Sequence, residues 1–273
     1  MLYGEEEMID QYKNKCEIIV SSCDAYSDLW TPFFNSLFKY WEDCPYPIYL
    51  LTEEKDCNID SVKTIKAGKN TNWSDRLITA SKELRSERIL LILEDFFLRS
   101  KVNSASVNDL LDLSLNENIP MLRLIPRPAP DSNNKVYDGL GLINPGSKFR
   151  VSTQSAIWDK DVLLDLLEPD ESIWEFEHKG SIRSQKYDNF YSVFKPVLTY
   201  RHHVVERGKW FPWEALYFSF KRIGVDLSSR QVMNLFETIR WLLQKTLGPI
   251  ANNLPKSIRS FLKPILKRLS LID

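Results

Sequence analysis

Between residues 16 and 125 the chain alternates short apolar runs with segments of helical periodicity, and this alternation restricts it to few architectures. Ile18–Val20, Ile48–Leu51, Ile89–Leu93 and Met121–Ile125 are the runs. Ile89–Leu93 is uninterrupted aliphatic, the pattern of a strand buried on both faces. Trp30, Phe33, Phe34, Leu37, Phe38 and Trp41 fall on one helical face, with Thr31 as cap and Pro32 in the first turn. Leu77, Ile78 and Leu84 mark a second helix over 73–84, and a third spans about residues 107–115. The order βαβαβαβ predicts an α/β fold, a mostly parallel sheet with helices on both faces. Ligands of such folds sit beyond the carboxyl ends of the strands, where the sequence places Asp24, Glu53, Glu94 and Asp95.

Charge narrows the function. The 36 basic and 37 acidic side chains leave a formal charge of −1, which argues against a surface built for nucleic acid. Cys16, Cys23, Cys44 and Cys57 form no CxxC pair, so reduced thiols are expected rather than a zinc ribbon or disulfide framework. Residues 1–15 are acidic and polar with no secretory pattern, and no apolar run reaches the roughly 18 residues that span a bilayer, so a cytoplasmic protein is expected. The charge is unevenly spread. Residues 230–273 carry eight basic against two acidic side chains, +6, leaving −1 − 6 = −7 for the remainder. An acidic body with a basic end suggests that this end meets an anionic surface.

Residues 127–148, rich in Pro, Asn, Gly and Asp, read as a long loop that covers a site. A helix is expected near 161–167, an extended segment at 173–177 and a strand at 197–200. Ser228-Ser-Arg-Gln231 reads as a capping box opening a helix that Gly248-Pro249 stops. A last amphipathic stretch then follows, with Ile258, Phe261, Leu262, Ile265, Leu266 and Leu269 on one face and Pro264 bending it. That stretch suits an interfacial helix on anionic lipid, or a face packed on the body or in a dimer. The expected division is a catalytic domain over 1–227, with halves at about 16–126 and 127–227, and a basic helical extension over 228–273.

The acid pair Glu94-Asp95 closing the aliphatic run is the most informative feature. A buried carboxylate is expensive, so an acid there faces a cation, a donor-rich ligand or water; the alternative is an acid that caps the next turn. Trp174-Glu175-Phe176-Glu177, if extended, turns both acids to one side and both aromatics to the other. The alternative is an amphipathic turn whose aromatics fill core and whose acids face water.

Several motifs together resemble bacterial nucleotide-sugar glycosyltransferases of capsule, O-antigen and exopolysaccharide gene clusters. They are Ile-Val-Ser-Ser-Cys-Asp-Ala-Tyr-Ser-Asp-Leu-Trp (19–30), Pro-Ile-Tyr-Leu-Leu-Thr-Glu (47–53), Trp-Ser-Asp-Arg-Leu (73–77), Leu-Glu-Asp-Phe-Phe (93–97), Trp-Glu-Phe-Glu (174–177) and Gly-Lys-Trp (208–210). The resemblance covers about residues 16–215 and implies the Rossmann-type fold called GT-A, to which the apolar spacing read above adds the C-terminal amphipathic helices. It implies that Ser22, Asp24, Thr52 and Glu53 hold the nucleoside, and that Glu94-Asp95 stands where the family's Asp-x-Asp motif binds a divalent ion bridging the sugar diphosphate. Here an aromatic replaces the second Asp, so Asp95 is the expected ligand for Mg²⁺ or Mn²⁺, with His203 of the His202-His203 pair as the histidine related enzymes offer. Trp73, Arg76 and Lys209 are expected at the donor, the two cations near the phosphates. Glu177, with Glu175 second, is expected to take the acceptor hydroxyl proton in an inverting transfer, and Ser152, Gln154 and Trp158 to line the acceptor pocket. The expected partners are a nucleotide sugar, a glycan or polyprenyl-linked glycan and an anionic membrane surface at the inner face of the cell membrane. A nucleotidyltransferase and a non-catalytic peripheral membrane scaffold are the alternatives; no Gly-rich phosphate loop follows the first strand to favour the former.

Overall fold

The computed structural model describes residues 12–133, 137–201 and 204–252, with side chains to residue 247. It divides into two compact units, Met1–His202 and His203–Asp273. The first unit carries a nine-stranded sheet in the order β3-β2-β1-β4-β8-β5-β9-β7-β6. Its strands are β1 (Cys16–Ser21), β2 (Ile48–Thr52), β3 (Val62–Lys66), β4 (Arg88–Leu93), β5 (Met121–Arg123), β6 (Ser132–Asn133), β7 (Leu140–Leu142), β8 (Ala156–Asp159) and β9 (Phe190–Val193). Pairing is parallel from β3 to β4 and between β5 and β9; β7 and β8 alone run against the rest. The mixed α/β class with a mostly parallel sheet is therefore the fold of this chain.

The helices α1 (Ser27–Tyr40), α2 (Trp73–Ser81), α3 (Ser104–Asn116) and α4 (Lys160–Leu166) flank this sheet in sequence between its strands. β1 is buried along its whole length, and Leu90 and Leu91 of β4 are inaccessible to solvent, as continuous apolar runs require. α1 begins at Ser27, a turn before the expected Thr31 cap, because a 3₁₀ turn over Asp24–Tyr26 feeds the chain straight into it; Pro32 therefore lies inside the helix.

The strand β3 escapes the sequence reading because it is an edge. Only Ile65 is buried, while Lys63 and Lys66 flank it, the charges that keep an open edge from pairing. Residues 197–200 form no strand. Only Tyr200 bridges, to Leu98, and the strand of that region is β9, wedged between β5 and β7. The expected 127–148 loop contains the β6/β7 hairpin, which extends the sheet beyond β9.

The second unit contains a two-stranded ribbon, β10 (Val205–Glu206) with β11 (Lys209–Trp210), and the helices α5 (Pro212–Phe220) and α6 (Leu235–Asn252). The α6 cap is Asn234 with Glu237, each side chain accepting the other's amide at 2.9 Å, rather than Ser228, whose amide and hydroxyl are spent on Asp226. Gly248-Pro249 does not end α6, which continues to Asn252; a single proline removes one hydrogen bond and bends a helix without having to stop it. The stretch from Ile258 to Leu269 lies outside the described residues.

Candidate active site

Register brings the acids to one rim. Ser21 pairs with Leu51 on one side and Leu93 on the other, so the residues after β1, β2 and β4 leave the sheet at one level. Asp24 is tied to the end of β2. Its carboxylate accepts the amides of Glu53 at 3.1 Å, Glu54 at 3.1 Å and Lys55 at 3.2 Å, which locks the end of β2 to the turn after β1. In return the Asp24 amide donates to Glu53 Oε2 at 3.1 Å.

Two more expected donor ligands prove internal. Thr52 is fully buried and donates to the Lys55 carbonyl, and Ser22 accepts Trp30 Nε1 at 2.8 Å. These groups shape the rim rather than face a ligand. The Glu53 carboxylate stays half-buried with Arg76 Nη1 at 3.9 Å from its Oε1. Arg76 itself is buried on the first turns of α2 and donates to the Thr71 carbonyl at 2.6 Å, while its Nε hydrogen has no acceptor among the described residues. Glu94 and Asp95 are half-buried beside them. Burial, reinforced by the charge of Glu94 and opposed by Arg76, pushes the Cys23 thiol up, so Cys23, Glu94, Arg76 and Glu53 share one electrostatic neighbourhood.

From Asp95 the site continues through Tyr200. Its ring stacks on Phe96 at 4.4 Å and 11°, and its hydroxyl accepts the Ser155 amide at 3.1 Å and donates to Gln154 Oε1 at 3.3 Å. Burial, with a smaller push from Asp95, holds this phenol well above the usual tyrosine range. Next along the same segment, Thr153 donates its amide at 2.7 Å and its hydroxyl at 2.9 Å to Glu177 Oε1. No hydrogen bond among the described residues reaches Glu177 Oε2. Arg123 lies within electrostatic reach of both Glu177 and Tyr200; burial lowers it to about 10.

Glu177 belongs to a helix, not to an extended segment. Residues 173–186 are helical throughout and widen into a π-turn over Phe176–Gly180, a distortion frequent at functional sites. Phe176 is thereby fully buried against Trp73, centroids 5.0 Å apart, and Glu177 is 8% exposed. Glu175 leaves the site. It closes a capping box with Ser172 and pairs with Lys179 at 3.0 Å, while Trp174 turns to solvent.

The Ser172 amide, then Lys179 and the Ser172 hydroxyl, hold the Glu175 carboxyl at about 2. Its folded-state value lies below the ordinary value of about 4.3, so its stabilisation is complete above that pH and lost as pH falls through about 2. The expected result for Glu175→Gln is unchanged transfer activity and a stability deficit in urea titrations that closes between about pH 5 and pH 2.

Of the expected acceptor residues, Trp158 is 0% exposed in β8 with its ring edge-on to Phe190 at 5.9 Å, so it is core and no sugar platform. Ser152 is buried with an unpartnered hydroxyl, and Gln154 lies half-buried against Tyr200. Trp73 is buried with its Nε1 hydrogen unpaired. Lys209 lies in the second unit, where its ammonium donates to Glu237 at 2.5 Å. His203 lies outside the described residues. Among those described, no three His, Cys, Asp or Glu side chains converge. Glu94 and Asp95 are the adjacent carboxylates that follow β4.

A separate cleft of about 580 Å³ opens between the start of α1 and residues 54–59, lined by Trp30, Lys55 and Cys57 among others; Glu94, Asp95 and Glu177 do not line it.

No protein-family model matches the chain, and no curated protein matches it. Among solved structures it is similar to S. aureus TarS 1-349, with a TM-score of 0.45 and 12% identity over 89% of this chain and 76% of that one; it spans 52% of the longer TarS chain. It is similar also to UDP-glucose pyrophosphorylase complexed with UDP-glucose, with a TM-score of 0.42 and 7% identity over 80% of this chain and 100% of that one. A cytidylyltransferase from Leptospira borgpetersenii gives a TM-score of 0.40 and 15% identity over 94% and 96% of the two chains.

Proposed function

We propose that the chain is a glycosyltransferase that moves a sugar from a nucleoside diphosphate to a glycan acceptor carried on a polyprenyl lipid, in surface polysaccharide synthesis. One observation carries this reading: the parallel ends of β1, β2 and β4 gather Glu53, Arg76, Glu94 and Asp95 on one rim, and Tyr200, Gln154 and Thr153 link that rim to the buried carboxylate Glu177. The sequence motifs described above support the same reading. The acceptor oxygen attacks the anomeric carbon as Glu177 Oε2 takes its proton, and the bond from that carbon to the diphosphate breaks with its electron pair on the phosphate. Arg76, a buried guanidinium with an unspent donor, neutralises the departing charge. Glu94 and Asp95 would hold Mg²⁺ or Mn²⁺, which supplies further charge neutralisation when bound. Attack opposite the leaving group by an activated hydroxyl makes the transfer inverting.

Calorimetry with UDP, GDP and their triphosphates tests this. The diphosphates are expected to bind, more weakly in Asp95→Ala. A clear preference for triphosphates would move the chain to the nucleotidyltransferases, and no binding of any nucleotide would leave a scaffold.

A further inference from the structure

Beyond the transfer chemistry, and independent of it, the second unit carries an apolar surface that its own fold leaves uncovered. Helix α6 is anchored through Thr238, which is buried, Glu237, which pairs with Lys209 at 2.5 Å, Trp241, whose ring meets Phe211 at 4.8 Å, and Gln244, which accepts Arg207 at 3.0 Å. Away from that side, Leu235, Phe236, Ile239, Leu242, Leu243 and Leu247 are all solvent-exposed, Phe236 by 76%. At 100° per residue they occupy about 140° of arc, an amphipathic stripe that the described residues leave open to solvent. Helix α5 adds Trp213, Leu216 and Phe220, spaced i, i+3, i+7 and exposed by 57%, 60% and 83%.

Charge decides what covers this face. On the helical wheel Arg240 and Lys245 flank the apolar arc of α6 on its two sides. From Thr238 to Ile272 the sequence has seven basic residues and no acidic one. A second copy would bring two such segments together and repel itself, whereas an anionic bilayer takes apolar side chains at its acyl boundary and Lys and Arg at its headgroups. Among the described residues no helix is long and apolar enough to cross a membrane, and an amphipathic stripe flanked by Lys and Arg is the pattern that lies in the plane of the interface. We propose that the exposed faces of α5 and α6 dock the chain on an anionic lipid surface, with Trp213, Phe220 and Phe236 as the inserting aromatics.

The experiment is cosedimentation of the full chain with vesicles of phosphatidylcholine alone or mixed with phosphatidylglycerol. Partitioning is expected to be about tenfold or more stronger on the anionic vesicles and to weaken with added salt. The double variant Leu235→Ser/Phe236→Ser, at the two most exposed positions of the stripe, is expected to lose that partitioning with an unchanged circular dichroism spectrum. Equal partitioning on both vesicle types, absence of binding, or wild-type binding by the double variant would each overturn the proposal. So would a concentration-dependent dimer dispersed by the double variant, which would assign the face to a second copy.

Discussion

Glu177→Gln is expected to leave nucleoside diphosphate affinity unchanged and to lower the transfer rate by roughly 10²–10⁴-fold. Glutamine keeps the side-chain oxygen that the Thr153 amide and hydroxyl reach at 2.7 and 2.9 Å, so the local structure survives. What it loses is the ability to take a proton. Asp95→Ala is the contrasting variant, expected to weaken donor binding first. Titration calorimetry and single-turnover transfer on both proteins separate the roles. If donor affinity falls equally in the two, Glu177 is part of the donor site and the assignment of the base fails.

The largest effect on stability is expected at Arg150. Its guanidinium, fully buried, donates to the carbonyls of Ile143 at 3.1 Å, Tyr187 at 2.7 Å and Ser184, and lies over the Phe190 ring at 4.2 Å. Carbonyls from three backbone positions, 143, 184 and 187, thus converge on one side chain. Arg150→Met fills the volume but leaves the Ile143 and Tyr187 carbonyls without this donor, and at about 1–3 kcal/mol for each unsatisfied group a loss of about 2–5 kcal/mol is expected. The exposed Lys148 two residues earlier is the control, and Lys148→Met should not move the urea midpoint. A midpoint for Arg150→Met as high as the control's would mean that water replaces the guanidinium at no cost.

How far the sequence can be read depends on whether the deciding interaction is local. The strands β1, β2 and β4 are plain in it because burial on both faces demands continuous apolar residues. The helix at 173–186 is not, since four residues of alternating aromatic and acid fit a strand as well as a turn. Ser172 and Glu175 at capping-box spacing were the available sign. Arg123, inside Met-Leu-Arg-Leu-Ile, was legible as a buried charge in need of acceptors; those acceptors, the carbonyls of Pro128, Phe149 and Arg150, were not. Asp24 could be placed at the rim, but its loss to the amides of residues 53–55 follows from the β1/β2 register, which no local pattern encodes. Tyr200 reaches the site through a single bridge to Leu98 and has no periodicity to announce it.

The position of β8 bears on how the chain comes off the ribosome. Because residues 156–159 separate β4 from β5, the first 126 residues cannot complete a sheet: β4 keeps an open edge, and β5 has no neighbour until β8 and β9 emerge. Folding therefore waits on pairings distant in sequence, a slow class of topology. During that wait the nascent aliphatic edge Arg88–Leu93 is the stretch most in need of chaperone cover, since it is where two unfinished chains would join.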